Sequence, residues 1–435
     1  MSLLSPPRRP LLMPAWSRND LWRRAAAVPS LDLNFAVTKN IGPLVTFTRA
    51  STATFIDSAG VLQTAATNEP RFDHNPTTGE SLGLLIEEQR TNSIRNNTMQ
   101  GAVAGTPGTL PTNWAVSGLG TLTQTVVGTG TQNGINYIDI RFSGTTSTTQ
   151  VSVRFEPSNG VAGTNGQTFA FSAWAARVGG STSNIGEISA NANIYDAGPA
   201  FLTSLAFSGY PVTVSTTLTR LSGAGTIASA TAAFIQPQIY VNFASGVAID
   251  ITLRIGLPQL EQGAFATSVI PTTTAAATRS ADVASITGTD FSSWYRQDEG
   301  TVFADVNSAP VNTIAQLTFD ISEGAGNERM FQRRSGNGMV STAVIDNGAT
   351  QGDIGSVVIG ASARYRSGFA YKLNDLEIVV NDSGSATDTS ATMPTPDRLH
   401  IGQNYASGQS CNGTLRRLTF WPSRLPGSTL QQITQ

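Results

Sequence analysis

The sequence predicts an all-β protein built around two β-sandwiches. Three observations carry that reading. Charged residues make up only 13% of the chain, against ~25% in ordinary globular proteins. Its 42 glycines sit among abundant Thr, Ser and Ala, the composition of many short strands joined by turns. Apolar residues also alternate with period two. Along Ile235–Phe243, Ile235, Ile239, Val241 and Phe243 share one face, while Gln236, Gln238, Tyr240 and Asn242 share the other. Ile249–Ile255 repeats the pattern, with Asp250, Thr252 and Arg254 outward.

Composition also excludes several function classes. At 435 residues the chain exceeds one ordinary core, so two or three domains are expected. A net charge of −2 argues against electrostatic capture of nucleic acid along the whole chain. Lys39 and Lys372 are the only lysines, so arginine supplies nearly all the positive charge. The single Cys411 forbids an internal disulfide, and with only His74 and His400 beside it a Cys/His zinc site is excluded. No stretch is long and apolar enough for a membrane-spanning helix, and Pro10 and Pro14 interrupt the one apolar run near the start, so no signal peptide is expected.

Residues 1–30 differ in character from the rest. Arg8, Arg9, Arg18, Arg23 and Arg24 are mixed with Trp16, Trp22 and several prolines. Such a segment cannot build a core. It is either a loose tail or an attachment arm, and the arm is favoured because Trp and Arg make anchoring hot spots. Asp20–Ala27 reads as one short helix.

Residues 31–98 read as a small β-rich collar. Val45, Phe47, Ala53 and Phe55 lie among Thr and Ser, and Asp57-Ser58-Ala59-Gly60 supplies turn chemistry. The run Glu87-Glu88-Gln89-Arg90 is either an acid pair for catalysis or a strand end held by Arg–carboxylate hydrogen bonds, with Arg71 or Arg49 as partner. The second reading is preferred. Within Phe47–Asn92, three motifs stand in order: Arg49-Ala50-Ser51 with Ala53-Thr54, Ile56-Asp57 and Gly60; then Glu69-Pro70-Arg71-Phe72-Asp73-His74; then Gly83-Leu84-Leu85-Ile86-Glu87-Glu88-Gln89-Arg90-Thr91-Asn92. This segment resembles the signature of phage virion fibres and adhesins. The resemblance implies a location on the virion surface, an arm that docks on a capsid or tail protein, and host-cell polysaccharide as the outward partner.

Residues 112–271 read as the first sandwich, with strands at Tyr137–Phe142 and Phe169–Trp174 besides the two alternating ones. Asn113-Trp114, Phe171-Ser172-Ala173-Trp174, Leu257–Gly263 and Phe265–Thr272 make the region similar to carbohydrate-binding jelly rolls found in xylanases and phage fibres. After a Thr/Ala-rich connector, residues 283–435 read as the second sandwich. Phe291–Tyr295, Glu299–Ala304, Leu399–Gly402 and Gly413–Trp421 resemble the first and last strands of laminin-G or concanavalin-like domains. Leu425–Thr434, with Leu430 and Ile433, reads as a closing helical turn. No fixed-period repeat, heptad run or Gly-X-Y run supplies a fibrous shaft.

Sugar recognition pairs aromatic faces with amide and carboxylate hydrogen bonds. The candidate glycan face is therefore Gln236, Gln238, Tyr240 and Asn242, with Tyr195 and Tyr210 at its rim; an ordinary polar strand face or a subunit contact is the alternative. Trp114, Trp174, Trp294 and Trp421 are assigned to packing, and His400 to a strand. Arg364-Tyr365-Arg366 and Tyr405 are either a solvated loop or contacts to an anionic polysaccharide. A structural calcium would draw on Asp346, Asp353, Asp375 and Asp382, none in an EF-hand-like loop, and no cofactor is expected. No nucleophile triad, P-loop or metal-hydrolase motif appears. The expectation is a non-enzymatic fibre or spike, leaning to a capsid head fibre and assembled as a homotrimer, since intertwined subunits protect sheet edges. A pentamer, a tail fibre with depolymerase activity and a purely structural decoration protein are the alternatives.

Overall fold

Alternating apolar residues close two five-stranded antiparallel sheets over one core. The first sheet runs in the order Thr219–Thr226, Thr168–Gly180, Ala248–Gln262, Ile135–Thr145, Thr123–Gln132. The second runs Phe201–Ala206, Ile185–Tyr195, Phe234–Phe243, Gln150–Arg154, Ala115–Ser117. The computed structural model describes residues 27–211, 214–308, 314–360 and 362–435. The residues assigned to the attachment arm, Arg8, Arg9, Trp16, Arg18, Trp22, Arg23 and Arg24, lie outside these.

Ile138, Ile140 and Phe142 meet Ile235, Ile239 and Val241 between the sheets, all nearly inaccessible to water. Each such side chain contributes roughly 1.5–3 kcal/mol. Phe155 stacks on Phe171 at 5.6 Å between ring centroids, and Trp114 meets Phe155 edge-on at 4.7 Å. The Trp114 indole is satisfied by donating to the Asn96 carbonyl at 2.8 Å. Trp174 is buried on the opposite face of its sheet with Ile135, Leu257 and Val269, under the Arg220 guanidinium.

The second sandwich corrects the reading of residues 31–98 as a separate collar. Its eight-stranded sheet contains Phe72–His74 and Ser81–Ile86 beside Gly413–Trp421, with Leu31–Leu33 on the same strand. Thr46–Thr48 adds to Val283–Thr287 in the facing seven-stranded sheet. Leu31, Phe35, Phe47, Leu84 and Ile86 share one core with Val302, Phe319, Ile378 and Phe420. The physical reason is size. Strands of three to six residues bury too little alone to stand as a unit, whereas a larger sheet offers them a ready edge.

The chain thus begins the second sandwich, leaves to build the jelly roll, and returns to finish what it began. The exit and return strands, Arg90–Asn92 and Ala277–Arg279, pair with each other. Outside both sandwiches stands the Ala53–Ile56/Leu62–Ala65 hairpin. Its turn is built by Asp57, which accepts from the Ala59 and Val61 amides at 2.9 and 3.0 Å. Gly60 there has φ +76°, and a Cβ would lie 2.6 Å from the Pro76 carbonyl oxygen, so only glycine fits. The closing helix is Gly427–Thr434, with Leu430 and Ile433 packed near Phe303 and Trp421. No helix among the described residues is long and apolar enough to cross a membrane.

Candidate functional site

Two polar assemblies stand out, one dry and one open. The dry one is built from the signature segment. Asp282 accepts from Arg49 at 3.0 Å and from Arg71 at 2.6 Å. Arg71 also reaches Glu87 at 2.9 Å, and Arg279 lies 3.5 Å from the same carboxylate. Ser268 donates to Glu87 through its amide and hydroxyl, at 2.7 and 2.6 Å. These side chains come from the signature segment, the end of the jelly roll and the connector, so the cluster clamps the two sandwiches together. Burial opposes the Glu87 charge, but Arg279, Arg71 and the Ser268 bonds outweigh it and hold the carboxyl at about 2. Burial dominates at Asp73, whose carboxyl is pushed up to about 6 despite accepting the Ile56 amide at 2.7 Å. Of the two readings of Glu87-Glu88-Gln89-Arg90, the geometry fits the Arg–carboxylate clamp: Glu87 is engaged by Arg71, and Glu88 by Arg90.

The open assembly is the outer face of the second jelly-roll sheet. Antiparallel register sets side chains in rows across it: Arg154, Gln238 and Asn191 form one row, and Gln236 and Asn193 with Ser204 the next. A shallow groove of about 360 Å³ is lined by Gln150, Arg154, Asn191, Asn193, Tyr195, Phe201, Ser204 and Gln238. Gln238 donates to Asn191 Oδ1 at 2.8 Å and accepts from Arg154 Nε at 3.2 Å. Ser204 donates to Asn193 Oδ1 at 3.3 Å. At one end Tyr195 meets Phe201 edge-on, 6.0 Å between centroids, and Phe201 is 57% exposed. Phe201 is the one aromatic among the exposed large hydrophobics of the described residues, and it stands beside a row of amides.

The predicted glycan residues divide accordingly. Gln238 and Tyr195 line the groove. Gln236 lies beneath it, accepting from the Tyr195 hydroxyl at 2.8 Å and donating to the Glu156 carbonyl at 2.6 Å. Tyr240 and Asn242 share the face but donate to Glu187 at 2.8 and 3.0 Å, and Asn242 meets the groove at its Gln150 end, accepting from the Gln150 amide at 2.9 Å. Tyr210 is not at the rim. It is buried in the core against Phe171, centroids 5.7 Å apart, because the turn-rich segment carrying it folds inward. Sequence reasoning missed Phe201, Arg154, Asn191 and Asn193. The last two were available from the alternation Glu187, Ser189, Asn191, Asn193 against Ile188, Ala190, Ala192, Ile194.

A larger cleft of about 670 Å³ runs between Glu88–Ser93, Gly166–Phe169 and Gln262–Ala264. Its aromatic residue, Phe169, is buried in the jelly-roll core, so it offers a sugar no exposed ring. In the second sandwich Tyr365 is buried and hydrogen-bonded to Thr318 at 2.7 Å, while Arg364 and Arg366 turn to Asp305. Tyr405 lies under Arg329, 5.0 Å from its ring. His400 is a buried strand residue, its pKa lowered to about 4 by burial and by Arg398 and Arg329. Asp353 and Asp375 pair with Arg333 and Arg424, and no group of three or more metal-ligating side chains occurs among the described residues.

No protein family and no curated protein matches the chain. Among solved structures it is similar to the CBM40 module of Ruminococcus gnavus IT-sialidase bound to α2,6-sialyllactose, at 12% identity and TM-score 0.29, covering 32% of this chain and 85% of that one. It is similar to domains LG4-5 of the mouse laminin α1 chain at 11% identity and TM-score 0.24, covering 68% and 92%. Trypanosoma rangeli sialidase in complex with sialic acid matches at 9% identity and TM-score 0.28, covering 71% and 52%. At these TM-scores the likenesses carry no argument about ligand or activity.

Proposed function

We propose that this protein is a fibre or spike of a phage or phage-like particle whose jelly roll attaches to host-surface polysaccharide. The observation that carries the attachment reading is the exposed Phe201 ring set against the Asn191–Gln238 amides. A pyranose presents one apolar face and a rim of hydroxyls, and this groove offers the complement of both. The particle reading is supported by the signature motifs of Phe47–Asn92, with residues 1–30 as the anchor to a capsid protein and a homotrimer as the assembly. Glycoside hydrolysis needs two carboxylates about 5–9.5 Å apart, and no lining side chain of the groove is a carboxylate. Attachment without cleavage is therefore the activity proposed.

The test is a pull-down of purified protein on intact host cells, with released sugar assayed in the supernatant. Binding without release is expected, and Phe201→Ala should weaken it about tenfold with an unchanged melting temperature. Released sugar would instead make the protein a depolymerase. Particle decoration without cell binding would leave a structural fibre only.

A further inference from the structure

We propose that the groove selects an acidic glycan, with Arg154 as the residue that reads a sugar carboxylate. The inference rests on the groove being a glycan site and goes further by naming the ligand class. Three other arginines of this jelly roll pair with carboxylates, Arg141 with Asp250, Arg254 with Asp139 and Arg95 with Glu156, at 2.6–2.9 Å, while the part-exposed Arg177 donates to the Gly180 carbonyl at 2.7 Å. Arg154 has no ion pair among the described residues. Its Nε is spent on Gln238 Oε1, a neutral acceptor that fixes the plane of the guanidinium.

Two acidic residues adjoin this face and neither pairs with Arg154: Glu156 is held by Arg95 at 2.6 Å, and Glu187 lies further along. Glu187 is opposite Asn242 and is held by Tyr240 and Asn242. Asn242 lies four residues along the strand from Gln238, roughly 13 Å at strand spacing. The groove therefore carries a positive charge with two terminal amino groups directed to no protein carboxylate, in a lining that is otherwise neutral. A planar fork of donors matches a carboxylate in bidentate fashion. Phe201 and the amides Asn191 and Asn193 flank it, so one uronate-type residue can stack on the ring, place hydroxyls on the amides and direct its carboxylate to Arg154. Lysine would offer a point charge without that geometry.

The experiment uses the full chain on an array of uronate-containing capsular polysaccharides, each printed beside its carboxyl-reduced form. Carboxyl reduction should weaken retention at least tenfold, raised salt should weaken binding to the acidic forms selectively, and Arg154→Gln should abolish the preference. Arg154→Lys should restore it only in part. If the protein retains acidic and reduced forms equally while Phe201→Ala removes both, the groove stands and the acidic selectivity is wrong. If neither form is retained and Phe201→Ala changes nothing, the glycan groove itself fails and this inference fails with it. A melting temperature for Arg154→Gln matching the parent chain separates lost recognition from lost folding.

Discussion

The clamp and the groove are made from the same residue types and do opposite things. In the clamp, Arg49, Arg71 and Arg279 are withdrawn from water around two carboxylates, Glu87 and Asp282. In the groove, Arg154 and Asn191 stay partly wetted over the buried Gln238 and Asn193, and Arg154 has no carboxylate partner among the described residues. A buried carboxylate shared by two or more guanidiniums holds two bodies in one geometry, and its removal is felt by the fold. An open charge without a carboxylate costs little to keep and is free to meet a ligand. The difference is burial and the presence of carboxylate partners, not the kind of residue.

Removing a clamp partner is the strongest way to break that comparison. Asp282→Ala leaves Arg49 and Arg71 buried without their shared carboxylate, and breaking such pairs costs about 3–5 kcal/mol. Chemical denaturation should show that loss, and Arg154→Gln in the groove should cost under about 0.5 kcal/mol. Equal costs would mean the two sites do not differ as argued.

The pH dependence sharpens the clamp further. Asp73 has a folded pKa of about 6 against an ordinary 3.8. Between those values the folded chain holds a proton that the unfolded chain has released, so stability falls as pH rises through the window. Glu87 acts in the opposite sense: held at about 2 against 4.5, it contributes stability above pH 4.5 that is lost as pH falls towards 2. Asp73→Asn keeps an acceptor for the Ile56 amide and removes the charge. It should raise stability at pH 8 by up to about 3 kcal/mol and much less at pH 4. Thermal melts at the two pH values check this, and an equal gain at both would place the cause elsewhere.

Smaller again is Tyr195→Phe, which sits where groove and core meet. It removes the hydroxyl that donates to Gln236 and leaves a buried amide oxygen without that donor, at about 1–2 kcal/mol. Because Tyr195 also backs Phe201, the variant should weaken glycan binding while keeping an apolar ring in place. A stability loss with unchanged binding would assign Tyr195 to the core alone.

These differences explain what the sequence showed and what it hid. The all-β character and the shared facing of Gln236, Gln238, Tyr240 and Asn242 were legible because alternation is a local pattern, whereas the burial of Gln236 and Gln238 was not. An Arg–carboxylate role for the Glu87–Arg90 run was legible with Arg71 or Arg49 as partner, and the structure gives Arg71 to Glu87 and Arg49 to Asp282. What a local pattern cannot show is which distant strand a short segment joins. Leu31 pairs with Phe420 and Leu84 with Leu415, and nothing in three to six residues encodes that partner. Phe201 was hidden for a related reason: Phe201–Ala206 alternates weakly, and its ring matters only through the rows that the neighbouring strands supply.

Tyr210 shows the same limit from the other side and yields the finest test. Glycine and proline around it suggest a surface turn, yet the segment lays the ring into the core beside Phe171 and Phe207. Its hydroxyl is buried there with no hydrogen-bond partner among the described residues, and burial raises its pKa far above the usual tyrosine range. A hydroxyl stripped of water and given no partner is a cost that the ring's packing outweighs. Tyr210→Phe should therefore leave stability unchanged or raise it by about 1 kcal/mol, the opposite sign to Tyr195→Phe, and leave glycan binding untouched. A loss of binding in Tyr210→Phe would return this residue to the rim, and a loss of stability would mean that its hydroxyl has a partner in solution.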